Sequence, residues 1–326
     1  MKFNKKQIVP LLFSITLVGS ASIADEDILT HYRNQGMRNL AHILDKKLTK
    51  KEYWEQYLQN VDTTFGYIEN HPYLLVCDKS ESKLTLYTKV NGQYEAQKEY
   101  GAFTGKMKGD KQEAGDLKTP IGIYNLTQKL NKVDSFYGPL AFVTSYPNLY
   151  DQYKKKTGKG IWLHGLPLHQ DRDKFTKGCI AINNQNLTSL SKQIDINKTL
   201  LIINEKDIKT AHKEKLSSIL AQLYKWRYAW IYNDLETYLD FYDTNFIRFD
   251  GMKKEQFSNY KKRIFSKKEK KKILFTNINV LPYPNEEETY KITFKEQYRA
   301  PSYAFTGNKT LIVKLVNNQV KIISEQ

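Results

Sequence analysis

Along residues 25–70, apolar side chains recur at helical spacings: Ile28, Leu29, Tyr32, Leu40, Ile43, Leu44, Leu48, Tyr53, Trp54, Tyr57, Leu58 and Val61, punctuated by Gly36 and Gly66. Recurrence at three and four residues marks an amphipathic helix, so the whole stretch is predicted helical. Such an arm either packs on the rest of the chain or pairs with a second copy. His71-Pro72 ends it, because the residue before a proline is biased away from helix. Residues 73–78 and 83–88 then read as strands joined by the polar turn Lys79-Ser80-Glu81-Ser82, a hairpin. Asn91-Gly92 is a second turn signal and leads into a strand over 94–103. The glycine-rich, charged run 101–122 reads as a loop that closes into a strand at 121–126. Residues 131–160 form a long connection of the kind that walls or covers a site. A strand over 160–164 follows, then alternating Ile180 and Ile182, a short helix to Ser191 capped by Asn183 or Asn184, and an apolar strand at 199–204.

From about residue 207 the helical period returns and holds to about 242. Its stripe is Leu216, Ile219, Leu220, Leu223, Trp226, Arg227, Trp230 and Ile231, with a second helix over 235–242. Strand-like runs occupy 272–280, 290–298, 309–316 and 320–324, the last two joined by the turn Asn317-Asn318. Helices followed by an antiparallel sheet predict a cone-shaped α+β module. Trp226, Trp230, Tyr238 and Tyr242 either line a pocket in that cone or are simply its core, and the core is the simpler reading. The expected organisation is α+β: a signal segment over 1–24, a helical region over 25–70, a β-rich domain over 71–205 and the cone over 206–326.

The signal segment is read from Lys2, Lys5 and Lys6, an apolar stretch from Ile8 to Val18 and a small-x-small site at Ser22-Ile23-Ala24. Together these predict export and cleavage near Ala24; the apolar run is short for a membrane span. The net charge of +16 becomes +13 without the three signal lysines. A surface this basic attracts polyanions. Export argues against nucleic acid and for a carboxylate-rich wall polymer or an anionic membrane face, although general solubility explains the charge equally well. The run 266–272, with five lysines, is read as a solvated face able to steer the cone onto such a polymer. Of the two cysteines, Cys77 lies in an apolar strand and is expected to be buried and unpaired.

The chemistry concentrates between residues 162 and 183. His164 is followed by Gly165, and fifteen residues on Cys179 stands between Gly178 and Ile180. A thiol becomes a nucleophile as thiolate, and a histidine beside it supplies the base. The backbone amides of Gly178 and Cys179 are candidates for holding an oxyanion. Trp162 shares a face with His164 and, with Tyr137 on the long connection, is a candidate wall of the site. His164, His169, Asp171 and Cys179 are all zinc-binding types, but their spacing fits no closed metal pattern. No metal or organic cofactor is expected.

His-Gly, a spacer and Thr176-Lys177-Gly178-Cys179-Ile180 resemble the active-site signature of the L,D-transpeptidase (YkuD-type) family, usually His-Gly then Ser-His-Gly-Cys-Ile/Val-Arg. Gly115-Asp116-Leu117-Lys118-Thr119-Pro120-Ile121-Gly122 resembles that family's second landmark. The resemblance spans roughly residues 72–204. Thr176, Lys177 and Ala181 replace the family's Ser, His and Arg, a pattern similar to that of the L,D-carboxypeptidases of helical bacteria, which also carry a C-terminal NTF2-like domain.

The resemblance implies Cys179 as nucleophile, His164 as base and the Gly165 carbonyl as the group orienting the imidazole. Gly178 is implied at the oxyanion site, with Lys177, Thr176, Trp162 and Tyr137 as candidate substrate contacts. Asp116 and Thr119 are expected to bond within their loop and shape the site wall. The implied activity is removal of the terminal D-Ala from peptidoglycan stem tetrapeptides, with an effect on cell shape. The absence of the Arg favours water over an amine acceptor. Cross-linking by the same chemistry, and a non-catalytic wall-binding scaffold, are the alternatives. The implied partners are muropeptides, a second copy of the chain through residues 25–70, and a glycan or peptide in the cone.

Overall fold

The computed structural model describes residues 23–326, apart from Arg38, Arg172 and residues 207–209. The predicted signal segment, all but its last two residues, lies outside this range. Two compact units divide at residue 45. The first contains α1 (Ile23–Gln35) and the start of α2 (Leu40–Leu48). Leu29, Tyr32, Met37, Ile43 and Leu44 of this unit are exposed. No helix among the described residues is long and apolar enough to cross a membrane.

The second unit begins with α3 (Lys51–Tyr57), a 3₁₀ turn over Leu58–Asn60 and the two-residue strand β1 (Tyr67–Ile68). Here the sequence reading needs correction, since residues 61–70 are not helical. Asp62 accepts from the backbone and hydroxyl of Thr64 at 2.9 and 2.7 Å, an Asx turn that competes with helix. Gly66 then adopts φ +122°, where a side chain would collide with the carbonyl of Val280.

Eight strands make a closed barrel: β2 (Tyr73–Asp78), β3 (Lys83–Val90), β4 (Gln93–Phe103), β5 (Gly122–Leu130), β6 (Ala141–Thr144), β7 (Trp162–His164), β8 (Ile180–Ile182) and β9 (Thr199–Asn204). Their order is β2-β3-β4-β8-β7-β6-β5-β9. The β2–β9 and β7–β8 pairs are parallel and the others antiparallel. Asn91 and Gly92 turn the β3–β4 hairpin with φ of 50° and 85°, as their dipeptide predicts. Strand β6 and the helix α4 (Leu149–Tyr153) occupy what the sequence left as connection. Four residues between Pro139 and Pro147 are too few for a visible period.

Alternate residues of β2 and β9 face opposite sides. Leu75, Cys77, Leu201 and Ile203 fill the barrel, while Leu74, Val76, Leu200 and Ile202 point outward and are equally buried. Burial on both faces explains their unbroken apolar runs. Cys77 is wholly enclosed, and burial pushes its thiol up to about 12.

The outward face meets the C-terminal module. After α5 (Asn184–Gln193) and β9 come α6 (Lys213–Ile231), α7 (Leu235–Asp240), α8 (Lys254–Phe265) and strands β10 (Lys272–Pro282), β11 (Thr289–Ala300), β12 (Tyr303–Val316) and β13 (Gln319–Glu325). The antiparallel sheet runs β1-β10-β11-β12-β13. One face packs on the helices around Trp226, Tyr238, Tyr242 and Phe257. The other contributes Leu281, Ile312 and Ile323 to a core shared with the barrel. Polar ties cross the same seam: Asn148 Nδ2 donates to Tyr283 Oη at 2.9 Å and Lys291 Nζ to the Ile123 carbonyl at 3.1 Å. Burial lowers the Lys291 amine to about 8. Trp54, Leu58 and Tyr67 belong to the C-terminal core, so the segment preceding the barrel is built into the module that follows it.

Helix α8 is a correction to the sequence reading: Phe257, Tyr260, Ile264 and Phe265 recur at helical spacing and pack on the core, with Lys261 buried among them. Among the four aromatics offered as pocket lining, Trp226, Tyr238 and Tyr242 are core, at 0–2% exposure. Trp230 alone of them reaches a cavity wall.

Candidate active site

His164 ends β7 and Cys179 immediately precedes β8. Leu163 pairs with Ile180 and His164 with Ala181, which puts Cys179 beside Trp162 in register. Side chains in register on parallel neighbours point to one face, so Cys179 and His164 share a face across adjacent strands. Parallel strands need a crossover of a dozen or more residues. The fifteen-residue spacing of the motif is that crossover. Trp162 N lies 3.4 Å from Cys179 Sγ, and Sγ lies 3.6 Å from the Gly160 carbonyl.

The imidazole is oriented from behind. His164 Nδ1 lies 2.7 Å from the Gly165 carbonyl, an acceptor, so Nδ1 carries the proton and Nε2 is left as the base. Tyr137 stands edge-on to His164 with ring centres 5.0 Å apart, and Trp162 packs on Tyr137 at 5.1 Å. Gly165 is required sterically: a Cβ there would overlap Asn184 Oδ1 and come within 2.9 Å of Pro139 Cδ.

The cysteine loop is tied together through Thr176. Thr176, 3% exposed, donates its hydroxyl to the Cys179 carbonyl at 2.6 Å and accepts from Gly178 N at 3.0 Å. Its hydroxyl shapes the loop, and the residue also lines the cleft. The Gly178 amide, one of the two candidate oxyanion donors, is engaged by that bond. Gly178 has its own reason to be glycine. Its φ is +135° and a Cβ would approach the Lys118 carbonyl to 2.9 Å, a conformation L side chains rarely adopt. Thr176→Val keeps the shape and leaves both backbone groups without the hydroxyl. We expect a loss of about 1–3 kcal/mol in urea unfolding and reduced turnover, with Thr176→Ser close to wild type on both.

The wall loop is fixed much as expected. Thr119 Oγ1 accepts from Gly105 N at 2.8 Å. Asp116 pairs with Lys111 at 2.7 Å and accepts from the amides of Gln112, Glu113 and Lys118, which together hold its carboxyl down to about 2 against the cost of burial. Behind the loop, Lys156 joins Asp151 at 2.8 Å and Asp110 at 2.6 Å.

An open cleft of about 610 Å³ is walled by Tyr137, His164, Asp171, Thr176, Lys177 and Cys179 among others. Lys177 is exposed on it. Trp162 sits behind Tyr137 and is not one of the described lining residues. His169 is exposed outside the cleft. Asn184 escaped the sequence reading, which offered it only as a possible cap. Asn183 caps α5, while the Asn184 amide bonds both polar groups of the Leu166 backbone, from N at 2.7 Å and to O at 3.0 Å.

A second cavity, about 660 Å³, opens in the C-terminal module. Lys261 Nζ lies 4.6 Å from the Trp230 ring centre and also against Tyr238 and Phe257. Burial lowers this amine to about 8. Lys309 pairs with the buried Glu325 at 3.2 Å, and Glu296 completes a charged wall.

Comparison with known proteins matches two family models, the L,D-transpeptidase catalytic domain over residues 72–203 and the Cds6 C-terminal NTF2-like domain over 218–326. The crystal structure of the helical cell shape determining protein Pgp2 from Campylobacter jejuni is similar at TM-score 0.79 and 41% identity, over 85% of this chain and 99% of that one. Bd1075 from Bdellovibrio bacteriovorus is similar at TM-score 0.64 and 29% identity, over 79% and 92%. Putative L,D-transpeptidase YafK of Escherichia coli is 33% identical over 114 residues, 34% of this chain and 43% of YafK. The chain thus spans less than half the length of that curated relative.

Proposed function

We propose a hydrolytic activity for this chain, which belongs to the L,D-transpeptidase (YkuD) family of peptidoglycan-modifying enzymes: it removes the terminal D-Ala from stem tetrapeptides, leaving tripeptides. The observation that carries the reading is the placement of Cys179 and His164 on one face of paired strands, the imidazole backed by the Gly165 carbonyl, in an open cleft. His164 Nε2 takes the Cys179 thiol proton. The thiolate attacks the carbonyl that precedes the terminal D-Ala, and the oxyanion forms beside the Cys179 amide. Collapse breaks the C–N bond, and the imidazolium returns its proton to the departing amine. Water then gives a proton to His164 and attacks the thioester. The tripeptide carboxylate leaves and the thiol is restored, with no net change in the enzyme.

Hydrolysis is favoured over cross-linking by Ala181. This fully buried methyl pairs with His164 at the position where the family signature carries an arginine able to hold peptide substrate or acceptor. In the same reading Lys177, on the cleft wall, meets a substrate carboxylate. In this reading the protein is periplasmic and influences cell shape. Residues 25–70 contribute to a homodimer, and the C-terminal cavity around Lys261 and Lys309 takes a wall glycan or peptide. The test is incubation with purified tetrapeptide muropeptides and mass spectrometry of the products. Loss of one alanine is expected. Cross-linked dimers would make the chain a transpeptidase, and unchanged muropeptides with binding retained would make it a scaffold.

A further inference from the structure

The turn that carries the Gly165 carbonyl is held from two sides. On one side Gly165 N donates to the Tyr137 carbonyl at 2.9 Å and Leu168 N to the Ser135 carbonyl at 3.1 Å. On the other, Asn184 accepts from Leu166 N at 2.7 Å and donates to Leu166 O at 3.0 Å. Two complementary bonds to one residue fix the amide's orientation as well as its place. The fit is tight. A Cβ on Gly165 would overlap Asn184 Oδ1, and one on Gly138 would lie 2.5 Å from the same atom and 2.8 Å from Gly165 Cα. Two glycines thus make room for one asparagine.

What separates Asn184 from the other ties is its place in the chain. It opens α5, directly after β8 and five residues beyond Cys179. The Tyr137 and Ser135 bonds anchor the histidine turn to the long connection. The Asn184 bonds anchor it to the element that follows the nucleophile. Asn184 is not among the described residues lining the cleft; it lines a separate surface pocket with Pro139 and Leu168.

We propose that Asn184 is a positioning residue that locks the histidine-bearing turn to the cysteine-bearing strand–helix unit, so that the Gly165 carbonyl holds the imidazole in register with the Cys179 thiol. Without the clamp the carbonyl shifts, Nδ1–H loses its fixed acceptor, and the imidazolium–thiolate pair is less well stabilised. Displacements of this kind, away from the reacting atoms, cost on the order of 10²-fold in rate. The inference rests on His164 serving as the base for Cys179.

The experiment compares wild type, Asn184→Ala and Asn184→Asp. The carboxylate of the Asp variant still accepts from Leu166 N but cannot donate to Leu166 O, so it keeps half the clamp. Two rates are read: tetrapeptide turnover, and alkylation of Cys179 by iodoacetamide across pH, with the melting temperature recorded for each protein. For Asn184→Ala, kcat should fall about 10²-fold with KM within about twofold, the pattern of an effect confined to the reacting groups. The alkylation midpoint of Asn184→Ala should move to higher pH, and Asn184→Asp should lie between Ala and wild type in kcat. Asp171, Asp173 and Lys177, the charged groups of the cleft wall, are unchanged in Asn184→Ala, so its displacement reports the clamp; Asn184→Asp adds a carboxylate of its own and is judged by kcat. A folded Asn184→Ala or Asn184→Asp with wild-type alkylation profile and kcat overturns the proposal. If Asn184→Ala fails to fold, the Asp variant decides. Because alkylation needs no substrate, an error in the proposed muropeptide activity leaves this test intact. Wild-type alkylation unaffected by His164→Ala would reject the underlying base assignment.

Discussion

Replacing Cys179 with Ala is expected to abolish release of D-alanine from tetrapeptide, and replacing His164 with Ala to slow it by about 10²–10⁴-fold. The two losses differ in kind. Without Cys179 no bond to the acyl group can form, and nothing else in the described cleft is a thiol. Without His164 the thiol is still present, and the small fraction ionised at neutral pH still attacks. Added alkalinity should therefore recover part of the His164→Ala rate and none of the Cys179→Ala rate. The check is kcat/KM for both variants at neutral and raised pH, with circular dichroism to verify the fold. His164 is 1% exposed and backed by the Tyr137 ring, so the smaller His164→Gln should be measured alongside. Equal turnover by Cys179→Ala and wild type would remove the nucleophile from the account.

The largest effect on stability is expected at Trp226, far from that chemistry. Its ring is 1% exposed and stacks between Tyr238 at 5.5 Å and Phe275 at 6.0 Å, with Trp230 at 5.4 Å. Truncation to Ala opens a hole that neighbouring rings in a rigid sheet-and-helix core cannot fill, a change that costs about 3–5 kcal/mol. Trp226→Phe should cost markedly less. It keeps most of the volume and removes an indole N–H that has no hydrogen-bond partner among the described residues, and burying such a group unsatisfied is itself unfavourable. Urea titration of the three proteins measures this directly. A loss below about 1 kcal/mol for the Ala variant would mean that the aromatic cluster is not the support it looks to be.

The chemistry was legible in the sequence because it sits in short contiguous words. His164-Gly165 and Gly178-Cys179 name the candidate reacting groups, and the fifteen residues between them have the length a parallel crossover needs. The hairpins were legible as well. Asn91-Gly92 and Asn317-Asn318 adopt the positive φ their side chains tolerate, and the alternating or unbroken apolar runs of β2, β9 and β13 leave little choice of state.

The parts that stayed hidden depend on distant partners. Strand β1 has two residues and exists because Tyr67 and Ile68 pair with Val280 and Asn279, more than two hundred positions away. Helix α8, whose apolar stripe of Phe257, Tyr260, Ile264 and Phe265 is interleaved with lysines, also buries Lys261 among four aromatic rings, a contact no local pattern reveals. At the site, Thr176 and Asn184 were visible as residue types whose partners could not be read. Thr176 bonds within its own loop, and Asn184 reaches across to a turn eighteen residues earlier. Local pattern names candidate groups; the tertiary bonds decide which touch substrate and which hold another group in place.

The account rests on a thiol activated by its neighbour, and the rate at which iodoacetamide alkylates Cys179 near pH 7 measures that most directly. Peptide mass spectrometry separates it from Cys77, whose enclosed thiol, pushed up to about 12, serves as the unreactive reference in the same molecule. The account predicts that Cys179 reacts much faster than a free cysteine at that pH, where the unperturbed thiol has a pKa near ~8.5, and that His164→Ala removes the advantage. A Cys179 no more reactive than free cysteine, or equally reactive with and without His164, would contradict it.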